Sequence, residues 1–150
     1  MKTMTAAFTV KGTWTGNRNG EGTISTNGLQ TVVSAPKELD GPGNGTNPEE
    51  LLISSATTCY MITLAAVLSN REIEYIRLDV TSEGTVRKDG KRLVFEKITH
   101  KPVISVTQAD KELVEKLEQL AHRAERACFI SQTLKGNVEV IVEPSVKVIG

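Results

Sequence analysis

Excess charge of either sign is missing from this sequence: 18 Lys and Arg balance 18 Asp and Glu over 150 residues. Without a field of one sign, nothing points to nucleic acid or an anionic membrane as a partner. Near-neutrality also leaves little repulsion between copies, so self-association is tolerated. Cysteine is scarce, with only Cys59 and Cys128, which excludes a disulfide scaffold; a chain of this length buries a core without one. His100 and His122 stand apart with no metal-ligand spacing, and they read as surface or partner-satisfied side chains. The opening M-K-T-M-T-A-A-F-T-V-K has no apolar core of the length a secretory signal needs, so cytoplasmic residence is the expectation. In that compartment two cysteines read as free thiols or a redox pair rather than a structural bridge. Repeats, linkers and low-complexity segments are absent as well, and a single domain over residues 1–150 is expected.

One further absence is local. From Leu51 to Asn70 there is no charged residue. The run begins with helix-start chemistry: Asn47 as cap, Pro48 at the first helical position, and Glu49 and Glu50 where the amide dipoles favour negative charge. A surface helix would show a charged face, so a helix this neutral is expected to be buried all round. Its length invites a test as a membrane span. Ser54, Ser55, Thr57, Thr58, Thr63 and Ser69 and the lack of basic flanks argue against one.

Around this helix the elements read in order. Residues 5–15 form a first strand, and Gly16 to Gly20 a turn. Thr23–Thr26 and Leu29–Val33 flank Asn27-Gly28, the dipeptide of a two-residue hairpin. Pro36 to Thr46 is a breaker-rich loop leading to the central helix. Ile73–Val86 and Arg92–Val106 are long strands joined near Gly90, with one wet face. Ala109–Cys128 is an amphipathic helix whose stripe runs from Leu113 to Cys128. A last strand, Val138–Val142, ends before Pro144. The order βββ-α-ββ-α-β, with meanders segregated from helices, places the chain in the α+β class.

Each cysteine has an ordinary reading as buried filler on an apolar helix face. Chemistry would require a stabilised thiolate. Cys59 lies roughly 15 Å into its helix, too far for that helix's own dipole, so a cation would be needed. Leu51–Asn70 contains none. Arg18, on the Gly- and Asn-rich turn, is the candidate, against its reading as a solvated loop residue.

Three collinear motifs then resemble the OsmC/Ohr family of thiol-dependent hydroperoxide reductases. G-T-N-P-E-E-L-L from Gly45 to Leu52, with Cys59-Tyr60 beyond it, resembles the family's first-cysteine helix. T-G-N-R-N-G from Thr15 to Gly20, followed by G-E-G-T-I-S-T, resembles its arginine turn. Ala127-Cys128-Phe129-Ile130-Ser131, with Leu134-Lys135-Gly136-Asn137-Val138, resembles its second-cysteine segment.

The resemblance implies that Cys59 is the peroxidatic cysteine, Cys128 the resolving one, Arg18 the stabiliser of the thiolate and Glu49 the carboxylate that holds the arginine. It further implies reduction of organic hydroperoxides, and hydrogen peroxide less well, in oxidative-stress defence. No metal or organic cofactor is implied; an external dithiol, either a lipoylated protein or a small thiol, serves as reductant. The implied assembly is an intertwined homodimer. Spacing agrees with it, because Glu49 and Cys59 lie roughly 15 Å apart along one helix and about 80° apart around it. The chain departs from the family in having Phe129 where Pro is usual after the second cysteine, and Thr57 and Thr58 near Cys59. The competing reading is a non-catalytic binding module for an apolar or thiol-reactive ligand on the same fold.

Overall fold

The computed structural model describes residues 3–150, and the chain divides into two compact units, Met1–Leu51 and Leu52–Gly150. In the first, β1 (Lys11–Thr15), β2 (Glu21–Ser25) and β3 (Gln30–Val33) form an antiparallel sheet in the order β1-β2-β3. The first strand starts at Lys11 rather than at residue 5. Its last partner is Ser25, and β2 then gives way to the Asn27-Gly28 hairpin, closed by Thr26 N–H donating to Leu29 O at 2.7 Å. The turn between β1 and β2 is set by Gly16 at φ 96°, in the left-handed region that glycine enters without strain. Trp14 Nε1 donates across this turn to Asn17 O at 3.0 Å. Buried Ser34 pins the following loop, donating to Asn44 O at 2.8 Å and accepting from Asn44 N at 2.7 Å.

The central helix, α1 (Pro48–Asn70), starts as its sequence dictates. Asn47 Oδ1 accepts from Glu50 N at 2.8 Å, and Thr46 donates to the Glu50 carboxylate at 2.8 Å, which satisfies an amide that the helix leaves unpaired. The expectation of burial all round is not met in the chain: the buried residues are Ala56, Tyr60, Leu64 and Leu68, one stripe at every fourth position. That stripe packs on the apolar surface of the second unit with Ile53 and Val67 partly buried beside it, whereas Ile62 on another face is 66% exposed. By length and composition α1 would also span a membrane; here its stripe forms the core of the second unit.

That unit is built on β4 (Arg77–Asp89) and β5 (Arg92–Val106), an antiparallel hairpin turning at Gly90, with a bulge between Thr85 and Val86. The second helix, α2 (Lys111–Ala127), is capped by Asp110, whose side chain accepts from Leu113 N at 2.8 Å. The sequence stripe is confirmed by burial of Leu117, Leu120, Ala121 and Ala124. Beyond it the structure adds two elements absent from the sequence reading: a short helix, α3 (Phe129–Leu134), and a strand, β7 (Ser145–Val148), beyond β6 (Glu139–Val142). Pro144 interrupts rather than ends the last strand, because β6 and β7 lie along the same β5, at Lys97–His100 and at Val103–Val106. Both pairings are parallel, so this sheet is mixed rather than a pure antiparallel meander. The core joins Tyr60, Leu64 and Leu68 to Ile104 and Val106 of β5 and to the α2 stripe. Each buried leucine there contributes roughly 2 kcal/mol.

His100 is fully buried in this core, not on the surface. Its ring stacks on Tyr60 with centroids 4.8 Å apart. Nδ1 and Ser82 Oγ share a hydrogen bond of 2.7 Å, Thr57 Oγ1 lies 2.8 Å from Ser82 Oγ, and Nε2 has no partner among the described residues. Burial disfavours the imidazolium and pulls the His100 pKa down to about 4. The unfolded chain therefore binds this proton first. The stability it confers is complete above about pH 6.5 and is lost as pH falls towards 4. Urea unfolding at pH 7 and at pH 4 is expected to differ by up to about 3 kcal/mol from this residue, and His100→Gln should show a correspondingly shallower pH dependence.

Candidate active site

Cys59 sits on α1 one residue before Tyr60, so its thiol lies on the flank of the buried stripe and is half-buried. Cys128 occupies the break between α2 and α3. It adopts an extended conformation, φ −70° and ψ 120°, serving as C-cap of one helix and N-cap of the next. Its N–H reaches back to Glu125 O at 3.2 Å and its O accepts from Gln132 N at 3.0 Å. The bend is thus made by Cys128 itself, with Phe129, not proline, at the first position of α3. Cys128 is fully buried and Phe129 66% exposed.

This geometry brings the two cysteines together as free thiols in different electrostatic surroundings. Burial alone would raise Cys59, but the Cys128 thiol, the Ile130 N–H, the Thr63 hydroxyl and the Phe129 N–H all favour its thiolate and leave it below its ordinary value. Thr63 Oγ1 is 4.0 Å from Cys59 Sγ and donates to Cys59 O at 2.8 Å. Cys128 is pushed up, first by burial and then by its bond to Cys59, with the Ser131 amide and hydroxyl acting in the opposite direction. One thiol is therefore accessible and readily ionised, and the other is sealed and protonated.

The sequence reading asked for a cation because the dipole of α1 is remote from Cys59. Within its own unit the thiol instead meets the first amides of α3, which no helix carbonyl can satisfy. Sequence inspection alone missed Phe129 and Ile130 as donors, since a backbone N–H has no sequence signal. Thr63, four residues after Cys59, was within reach of the helical periodicity.

Arg18 and Glu49 both lie in the first unit. Arg18 Nη2 donates to Leu39 O at 2.8 Å, and Nη1 lies 3.5 Å from Asp40 O and 3.3 Å from Asn19 Oδ1. The guanidinium thereby ties the turn to the short 3-10 helix Lys37–Leu39, whose end is left-handed at Asp40. Glu49 stands in the first turn of α1 with Oε1 buried and, among the described residues, unpartnered. Among the described residues no ion pair joins it to Arg18. Trp14, Arg18, Val33, Ala35 and Pro48 border a cavity of about 340 Å³. It is an apolar recess with one cation at its edge.

Residues 41–143 match the OsmC-like protein family. The uncharacterized protein YmaD of Bacillus subtilis (strain 168) is 44% identical over 144 residues, 95% of this chain and 96% of that protein. The organic hydroperoxide resistance protein OhrB of the same organism is 30% identical over 138 residues, 92% of this chain and 98% of that one. The crystal structure of an organic hydroperoxide resistance protein OsmC from Legionella pneumophila has a TM-score of 0.71 at 26% identity, covering 95% of this chain and 100% of the other.

Thiolate absorbance titrations rank the donors. Cys128→Ala is expected to raise the Cys59 pKa, and Thr63→Val added to it should raise it again by a smaller step. A Cys59 pKa unmoved by Cys128→Ala would mean that the two thiols do not interact in solution.

Proposed function

The chain belongs to the OsmC-like family, and from that premise we propose that it is a cysteine-based peroxidase acting on organic hydroperoxides, and on hydrogen peroxide less well, in oxidative-stress defence. The observation that carries this reading is the inequality of the paired thiols: Cys59 is shifted toward thiolate beside a buried, protonated Cys128. A binding module has no need for such a pair.

In the first step the Cys59 thiolate attacks the O–O bond of the hydroperoxide. Its sulfur becomes a sulfenic acid, and the leaving alkoxide takes a proton and departs as alcohol. In the second, Cys128 attacks the Cys59 sulfur, giving an intramolecular disulfide and water. An external dithiol, carried on a lipoylated protein or as a small thiol, then reduces the disulfide and is itself oxidised. No metal or organic cofactor enters these steps.

Arg18 is assigned to steadying the thiolate and orienting the peroxide, and Glu49 to holding the guanidinium. Because α1 is unbroken, Glu49 and Cys59 keep their roughly 15 Å separation along it. The reading therefore includes a homodimer in which Arg18 and Glu49 of one copy serve the cysteines of the other. Apolar Ile62 and Phe129, both exposed near Cys59, suit an alkyl substituent. Cytoplasmic residence is part of the same proposal.

One equivalent of cumene hydroperoxide added to the reduced protein is expected to consume both thiols and give the mass of a disulfide. Cys59→Ser should abolish peroxide loss. Cys128→Ser should stop at a sulfenic acid trapped by dimedone, and Arg18→Ala should slow the first step by about a hundredfold. Both thiols remaining free after treatment would overturn the peroxidase reading in favour of a non-catalytic binding module.

A further inference from the structure

The second step poses a problem of its own: Cys128 is sealed from solvent and held protonated, first by burial and then by Cys59. It must lose its proton as it attacks the oxidised Cys59, and the side chains bordering it decide where that proton goes. Ser131 stands at the third position of α3, across the first turn from its N-cap, Cys128. It is 4% exposed, and its Oγ has no hydrogen-bond partner among the described residues. The hydroxyl lies close enough to both the Cys128 thiol and the Glu125 carboxylate to influence their titration, without full hydrogen-bond geometry to either. Glu125 precedes Cys128 by one helical turn and accepts its N–H at the backbone oxygen. Glu125 and Ser131 both line an open cavity of about 410 Å³, bordered also by Arg126, Lys135 and Glu139.

We propose that Ser131 and Glu125 form the exit route for the proton that Cys128 loses when it resolves the oxidised Cys59. This inference rests on the peroxidase reading and concerns its second step alone. The Cys128 proton passes to Ser131 Oγ as the hydroxyl proton of Ser131 passes to the Glu125 carboxylate. The thiolate forms the S–S bond as the S–O bond of the sulfenic acid breaks. The released hydroxide takes a proton from solvent and leaves as water, and Glu125 returns its proton to solvent through the cavity. One proton leaves and one is taken up, so the step balances.

The surroundings of Glu125 suit an acceptor. Burial raises its pKa, opposed by Arg126, Lys135 and His122 and by the Ser131 hydroxyl, and the net shift is upward. The nearby groups around Cys128 are Cys59 and Tyr60, and the phenol of Tyr60, pushed up by burial and by the charges of Glu125 and Cys128, stays protonated. Tyr60 donates its own proton to Ala121 O at 2.8 Å and takes no part in the route.

Rapid mixing of reduced protein with one equivalent of cumene hydroperoxide, quenched at intervals with dimedone and N-ethylmaleimide and read by intact mass, separates the two steps. Ser131→Ala and Glu125→Gln are each expected to accumulate dimedone-labelled Cys59 and to slow disulfide formation at least about tenfold at pH 7. The deficit should shrink as pH rises and bulk hydroxide replaces the route, and Glu125→Asp should recover most of the rate. Disulfide formation at the wild-type rate in both variants would overturn the route. So would a deficit independent of pH that slows peroxide loss equally, since that marks a structural role. A wild-type protein that forms neither sulfenic acid nor disulfide would instead overturn the peroxidase reading and the route with it.

Discussion

Tyr60 is the side chain on which the larger unit turns. Its ring stacks on buried His100 of β5, and its hydroxyl donates to the Ala121 carbonyl of α2. One residue of α1 is thereby tied to the sheet and to the second helix at once. Losing the acceptor would leave the buried phenol hydroxyl of Tyr60 unsatisfied, at a cost of about 1–3 kcal/mol. Cys59 is the neighbour of Tyr60 in the chain, so the same tie sets where its thiol faces. Cys128 ends the helix that Tyr60 anchors. The meeting of the two cysteines follows from this packing.

From that meeting comes an asymmetry that neither thiol has alone. Cys59 gains donors from the Cys128 thiol and the opening amides of α3, while Cys128 is raised by burial and by the same contact. A thiol that gives its proton easily beside one that keeps it is the order a two-step oxidation requires. The kink at Cys128 does both jobs: it ends α2, and it aims the unpaired amides of α3 at Cys59. A Pro at position 129 would supply the bend without the N–H; Phe129 leaves the donor in place.

Arg18 and Glu49 stand differently. Their positions in the first unit follow from clear local rules, a Gly- and Asn-rich turn and a capped helix start. Neither is satisfied by the other: Arg18 holds the carbonyls of Leu39 and Asp40, and Glu49 keeps a buried oxygen without a partner among the described residues. Under the proposed function, a second copy of the chain would meet the buried carboxylate oxygen and an alkyl hydroperoxide would enter the apolar recess edged by the guanidinium.

Much was legible in the amino-acid order by itself, because it rests on local chemistry. The Asn47 cap, the Asn27-Gly28 hairpin, the turn at Gly90 and the α2 stripe depend on residues a few positions apart, and all are found in the structure. The α+β class was readable from the order of such elements, whereas Cys59 and Cys128 stood out from buried filler only through the resemblance of their segments to a known family. What tertiary structure decided is what depends on distant segments. The neutral α1 buries one stripe because one surface of its unit is there to receive it, and Pro144 interrupts a strand that resumes because β5 is long enough to pair beyond it. His100 is in the core because Tyr60 and Ser82 are brought to it. Cys59 finds its donors on α3, whose contribution is backbone amide, identical in every residue but proline and therefore invisible until the chain has folded.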